Sequence, residues 1–422
     1  MDKVLPPMLS PVSAIERVAT LDVLRGFALL GILLMNIEGF VGPVFESGTG
    51  LNPALVGADR VADALIYIFV QGKFYTLFSL LFGMGFAVMS QRAYAAGRSF
   101  AGVYFRRSFV LLGIGIVHAL FIWSGDILVA YALLSFFLLA FREVPQRWLP
   151  WLAGLIYLAP AGLMLLLGGV EWLMQLSPET AATWNQAMAE QGGMVTAMVD
   201  AQRQAFGAGT YLEAVAQRGS DFGMGLMNLM LFGPIIFGLF LLGMWFVRSG
   251  AILEPARFPR LYARLRWVAL PVGLLVMLTS FWLEPTTDPS VISMRYSAVF
   301  ALNLVANILM SLGYLAWIVR GMQSSTWSVR LSVLAPAGRM ALTLYLMQSL
   351  VCTWIFYGYG LGYFEQLSRA WQVPFVFALF AVQVVLSHWW LRHFRFGPME
   401  WVWRSLTYLK AQPMRRTTPQ IA

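Results

Sequence analysis

The feature that most constrains this chain is its succession of apolar runs, separated by short and mostly basic links. The runs are Leu21–Phe40, Phe74–Met89, Ser108–Trp123, Ile127–Phe141, Trp148–Gly168, Phe222–Val247, Trp267–Leu283, Ser297–Val319, Met340–Trp354 and Val373–Leu391. They lie near the roughly 20 residues a helix needs to cross the hydrocarbon core of a bilayer. Only 12% of the 422 residues are charged and 59% are hydrophobic, whereas soluble domains carry about 25% charged residues. The chain lacks the polar surface to face water on all sides. The expected fold class is therefore all-α, a polytopic transmembrane helix bundle of about ten spans. A single cysteine, Cys352, excludes an intramolecular disulfide.

Basic residues set the orientation. They cluster in alternate links, with Arg92, Arg98, Arg106 and Arg107 in one, Arg257, Arg260 and Arg264 in another, and Arg320, Arg330 and Arg339 in a third. The opposite links hold only Arg60, Arg203, Arg218, Arg295 and Arg369. By the positive-inside rule both termini are cytoplasmic. The net charge of +9 is then a topology signal, and nucleic acid is not an expected partner. The polar start of the chain shows no cleavage site, and the expected location is a bacterial-type cell inner membrane.

Five segments follow. Residues 1–20 read as a cytoplasmic tail and 21–170 as an N-terminal transmembrane half. Residues 171–221 read as an extracytoplasmic lid, with Met188–Val199 and Tyr211–Gln217 as amphipathic helices. Residues 222–394 form the C-terminal transmembrane half, and 395–422 an interfacial helix and basic tail. Val61 to Gln91 is too long for one straight span. Gly72-Lys73 interrupts it, leaving Ala62–Val70 as a short helix at the outer interface and Lys73 near the outer end of the second span.

An ionisable group costs about 2.5–3.5 kcal/mol at the bilayer centre, so those that persist are paired, solvated or used. Asp22 and Arg25, three residues apart, share a helix face at the inner end of the first span. Arg107 and Arg339 fall at the same inner face, where guanidinium groups suit phosphates; anchoring of the topology explains the arginines as well. The outer half holds Asn36, Asp63, Lys73, His118 and Asp126. A histidine is the side chain suited to accepting and returning a proton, which makes His118 the candidate base. Asp126, across the Ser124-Gly125-Asp126 turn, is placed to orient its ring. The structural alternative is a histidine held by one hydrogen bond inside the bundle, with Asp126 capping the next helix. Lys73 is placed either to pair with Asp63 or to hold an anionic group, which makes Lys73 and Asp63 candidate substrate-binding residues. No metal-ligand or P-loop spacing occurs, and no metal is expected.

Five motifs carry a family resemblance: LDVLRGFALLGILLMNI (Leu21–Ile37), GKFYTLFSLLFGMGF (Gly72–Phe86), HALFIWSGDILVAYAL (His118–Leu133), GRMALTLYLMQS (Gly338–Ser349) and RFGPMEWVWRSLTY (Arg395–Tyr408). Together they resemble the YeiB-like family of polytopic bacterial membrane proteins, catalogued as a domain of unknown function. The likeness covers nearly the whole chain. That family is distantly similar to transmembrane acyltransferases, including the lysosomal heparan N-acetyltransferase, which acetylates sugars across the membrane from cytosolic acetyl-CoA. These open their first helix with Asp-x-x-Arg-Gly, matched by Asp22, Arg25 and Gly26. The bacterial O-acyltransferase group has a histidine late in that helix, where this chain has Asn36. The heparan type has an asparagine there and a catalytic histidine a little further on, but this chain has no histidine between Asn36 and His118.

The resemblance implies acyl transfer with acyl-CoA as donor, held at the inner face by Asp22, Arg25, Arg107 and Arg339. His118 substitutes as the base only if the fold brings it near Asn36, which would hold the acyl carbonyl or oxyanion. A small-molecule, glycan or lipid-linked acceptor would enter from outside. The alternative is a transporter of a small solute or lipid-like molecule, with Gly72-Lys73 and Pro234 as helix breaks. A non-catalytic membrane partner or sensor is the third reading. The bilayer and a second copy of the chain complete the expected partners.

Overall fold

In the computed structural model, the described residues are 18–97, 99–288 and 290–416. Most of the expected tail 1–20, Arg98 of a basic link and the terminal 417–422 lie outside them. The structure is about 80% helical, with no strand among the described residues. Among the described residues, eight helical stretches are long and apolar enough to cross a membrane, and two shorter apolar ones, Leu128–Phe141 and Ala341–Phe356, accompany them. The chain is an integral membrane protein built as an all-α polytopic bundle.

The helices are α1 (Ala19–Val41), α2 (Gly57–Phe69), α3 (Lys73–Ala95), α4 (Ala101–Phe121), α5 (Leu128–Leu138), α6 (Leu149–Met174), α7 (Pro178–Gly207) and α8 (Tyr211–Arg248), then α9 (Pro259–Arg264), α10 (Leu270–Leu283), α11 (Met294–Met322), α12 (Ser325–Ser332), α13 (Ala335–Arg339), α14 (Ala341–Phe356), α15 (Arg369–His393) and α16 (Pro398–Tyr408). A π-helical turn, Leu265–Ala269, joins α9 to α10.

Helix α1 is the hub and packs against α3, α11, α13, α14 and α15. Small residues make this possible, because without a Cβ two helix backbones can touch. A Cβ at Gly338 of α13 would lie 1.8 Å from the Asp22 carbonyl oxygen, and one at Gly26 would lie 2.3 Å from that of Leu334. The glycine of the Asp-x-x-Arg-Gly signature thus has a packing role whatever the chemistry of its neighbours. Helices α3 and α8 meet the same way, with Gly83 against the Phe240 backbone and Gly243 against that of Leu80.

The break between α2 and α3 falls at Gly72, whose φ of +80° favours glycine. Three expected boundaries move. Helix α4 begins at Ala101 rather than Ser108, and Arg106 Nε donates to the Thr407 carbonyl at 2.9 Å, tying the second turn of α4 to α16. Residues 178–207 form one 30-residue helix instead of a short amphipathic one. The expected boundary at 221/222 lies inside α8, which runs unbroken for 38 residues through Pro234. A capping box starts it early: the Thr210 amide donates to Glu213 Oε2 at 2.7 Å while Thr210 Oγ1 accepts from the Glu213 amide at 3.4 Å.

Helix α16, expected to be interfacial, has a structural task. Glu400, buried, accepts from the Leu342 amide at 2.7 Å, the Thr343 amide at 3.1 Å and Thr343 Oγ1 at 2.6 Å, capping α14 from outside its own sequence. Burial pushes the Glu400 carboxyl above the usual carboxylate range, against the pull of these donors. Glu400→Ala should cost about 1–3 kcal/mol by stranding the α14 amides. The check is the melting temperature in detergent, where Glu400→Gln, which keeps one acceptor oxygen, should fall less than Glu400→Ala.

Candidate functional site

His118 sits in the last turn of α4, Asp126 in the link to α5, and Ser349 midway along α14. The imidazole joins all three. Nδ1 lies 2.7 Å from Asp126 Oδ1 and Nε2 lies 2.9 Å from Ser349 Oγ. His118 and Ser349 are fully buried. The second oxygen of Asp126 accepts from the Val129 amide at 2.7 Å, so the carboxylate caps α5 and orients the ring at once. Tyr345 closes the other side of the imidazole, 5.2 Å between ring centres. A carboxylate on Nδ1 favours the tautomer protonated there, which leaves Nε2 to accept the Ser349 hydroxyl proton. This is the hydroxyl, base and orienting acid arrangement used in acyl transfer. Both imidazole nitrogens are committed, so Asn36, half-buried on α1, is not brought to His118 as a partner.

The expected pairing of Lys73 with Asp63 does not form. Asp63 Oδ1 accepts from Arg369 Nε at 2.8 Å and Oδ2 from the Asn52 amide at 2.9 Å. Arg369, the first residue of α15 and 5% exposed, also donates to Gln372 at 2.8 Å and reaches Glu38 at 3.4 Å. A planar guanidinium serves several acceptors at fixed angles, so it outcompetes an ammonium for this carboxylate. Nor does Lys73 reach water. It is 1% exposed, because the turn at Gly72 aims the start of α3 into the bundle. It lines a cavity of about 350 Å³ with Met35 of α1, Tyr67 and Gln71 beside the break, and Asn303 and Asn307 of α11.

The four expected donor-binding residues gather at the basic end. Arg25 and Asp22 pair at 3.0 Å, with the arginine partly exposed. Arg339 ends α13, whose Gly338 packs on the Asp22 backbone. Arg107 stacks on Trp403 at 3.6 Å, and Trp403 Nε1 donates to the Arg107 carbonyl at 2.8 Å. Arg25 and Arg404 lie within electrostatic reach of Arg107. Among the described residues no group of three or more His, Cys, Asp or Glu side chains is placed to hold a metal ion.

Two functional-looking residues escape sequence reasoning. Ser349 reads as one more hydroxyl in a span, and Arg369 as a stray charge in an outer link. The ion pair of Arg369 is testable. Arg369→Met should cost about 3–5 kcal/mol, because Asp63 is left buried without its counter-charge. Arg369→Met combined with Asp63→Leu should recover most of that loss, read as detergent melting temperature.

The family model described as a protein of unknown function (DUF418) matches residues 246–410. The chain is 35% identical to the uncharacterized protein YxaH of Bacillus subtilis (strain 168), over 97% of this chain and 99% of that one. It is 34% identical to the uncharacterized protein YeiB of Escherichia coli (strain K12), over 94% and 98%. A 39.9 kDa uncharacterized protein in the amylase 3' region of Bacillus acidopullulyticus is 27% identical over 96% of this chain and 98% of its own length. Identity of 34–35% across nearly the full length of both chains means that this chain belongs to the YeiB-like family of bacterial membrane proteins.

Proposed function

We propose that the protein transfers an acyl group from a cytosolic acyl-CoA to an extracytoplasmic or lipid-linked acceptor, in a bacterial inner membrane. The observation that supports this reading is the Ser349–His118–Asp126 relay, with contacts of 2.9 and 2.7 Å. In the first step Ser349 Oγ attacks the thioester carbonyl and His118 Nε2 takes the hydroxyl proton. The C–S bond breaks, and the proton passes from His118 to the departing thiolate, leaving an acyl-serine and free CoA. In the second step His118 takes a proton from the acceptor hydroxyl or amine, which attacks the acyl carbon, and returns it to Ser349. Asp126 holds the tautomer and stabilises the transient imidazolium.

The arginines at the basic end, Arg25 and Arg107 with Asp22 and Arg339 beside them, suit the phosphates of the donor. Acceptor entry is assigned to the opposite end, beneath the segment 171–221. The relay is sealed in this conformation, so each step requires α14 to shift away from α4. Asn36 takes the role of holding the acyl carbonyl only if that movement opens the relay toward α1.

A second reading, transport of a small solute, is favoured by the discontinuity at Gly72 and the cavity beside it, since discontinuous helices mark the binding sites of carriers. The two separate cleanly. With purified protein and acetyl-CoA, His118→Ala and Asp126→Asn should each slow CoA release by about 10²–10⁴-fold, and Ser349→Ala should abolish the labelled acyl-enzyme. Release at the wild-type rate in His118→Ala sinks the acyl-transfer reading. Solute accumulation in proteoliposomes with no covalent product replaces it with transport.

A further inference from the structure

Lys73, like Arg218, whose guanidinium donates to the Phe121 carbonyl and the Tyr359 hydroxyl, is a buried cation that the ion pairs among the described residues leave over. Its ammonium meets only neutral acceptors, the Tyr67 carbonyl at 3.0 Å and Met277 Sδ at 3.3 Å, with the Tyr67 ring centre 6.0 Å away. Among the described residues it forms no ion pair, and Asp63 is held by Arg369. An uncompensated charge in such an interior is costly, and it persists where something supplies the missing partner.

The cavity beside Lys73 holds a second unmet demand. Asn307, 8% exposed, packs its amide over Gly72, and its Oδ1 is buried without a hydrogen-bond partner. Asn303 is oriented from both ends, donating to the Tyr67 hydroxyl at 3.0 Å and accepting from Ser280 Oγ at 3.0 Å. The space of about 350 Å³ is at the low end for small-molecule sites. Two loops meet over it, where the Thr287 amide donates to the Thr49 carbonyl at 2.7 Å.

We propose that this cavity binds a small organic monoanion whose carboxylate sits on Lys73 and whose neighbouring hydroxyl or N–H donates to Asn307 Oδ1. One ammonium matches one negative charge; a dianion would carry an unmatched charge into the same low-dielectric space. The orphaned amide oxygen demands a donor on the same molecule, which selects hydroxy- and amido-carboxylates over simple fatty acids. The inference stands apart from acyl transfer, since it concerns binding without a donor present. A purely structural Lys73, clamping the Gly72 break through the Tyr67 carbonyl, predicts no response to anions.

The test is the melting temperature of the full chain in detergent with millimolar lactate, N-acetylglycine and gluconate, each against its neutral counterpart (lactamide, N-acetylglycinamide, sorbitol) with sodium chloride added to equal ionic strength. At least one carboxylate should raise the melting temperature above its counterpart. Lys73→Met should remove that shift. So should Asn307→Asp, which places a carboxylate in the cavity and keeps the proposal testable if Lys73→Met does not fold. Absence of a shift for all three carboxylates in the wild type overturns the proposal. So does a shift that survives in Asn307→Asp, or an equal shift with inorganic phosphate.

Discussion

A charge enclosed by apolar helices must find a partner in the protein or in a bound ligand, because no water is at hand to solvate it. That requirement decides how this bundle is tied together. Arg369 at the start of α15 reaches Asp63 on α2 and Glu38 on α1. Asp126 joins the α4–α5 link to His118, and His118 joins α14 through Ser349. Glu400 fastens α16 to the first turn of α14. All but the Asp126–His118 contact join helices far apart in the chain, and each fixes a relative position that apolar packing alone leaves loose.

Close backbone contact supplies the rest of the rigidity. With lipid as apolar as leucine, burial of side chains gives little preference for one helix neighbour over another, so shape decides. Gly26 and Gly338 let α1 and α13 touch, and the charged pair Asp22–Arg25 then sits at a fixed place at the basic end. The Asp-x-x-Arg-Gly signature at the start of the chain is therefore two devices in one stretch: a packing notch and a charged anchor.

What could be read from the residues alone is what local spacing controls. The apolar runs follow from the ~20-residue thickness requirement. Gly72 marks a break because few other residues tolerate its backbone. Asp22–Arg25 and His118–Asp126 were legible because three and eight residues separate the partners. The remainder depends on the tertiary path. Ser349 lies 231 residues from His118 and Arg369 lies 306 from Asp63, distances over which no spacing rule operates. The start of α8 was misplaced for a different reason. Its first turns are polar, which resembles a lid segment, yet the Thr210–Glu213 capping box commits the backbone to helix before the apolar stretch begins.

The relay's two contacts also differ in when they can exist. Asp126 and His118 belong to one helical hairpin, and that hairpin can close as soon as α4 and α5 have emerged and inserted. Ser349 is made more than two hundred residues later. Because chains build and insert from the N-terminus onward, the imidazole spends the intervening synthesis oriented by its carboxylate with its other nitrogen uncovered. The arrival of α14 is thus the event that seals the bundle's polar centre. A chain halted before α14 would carry a histidine already positioned and still open to whatever reaches it.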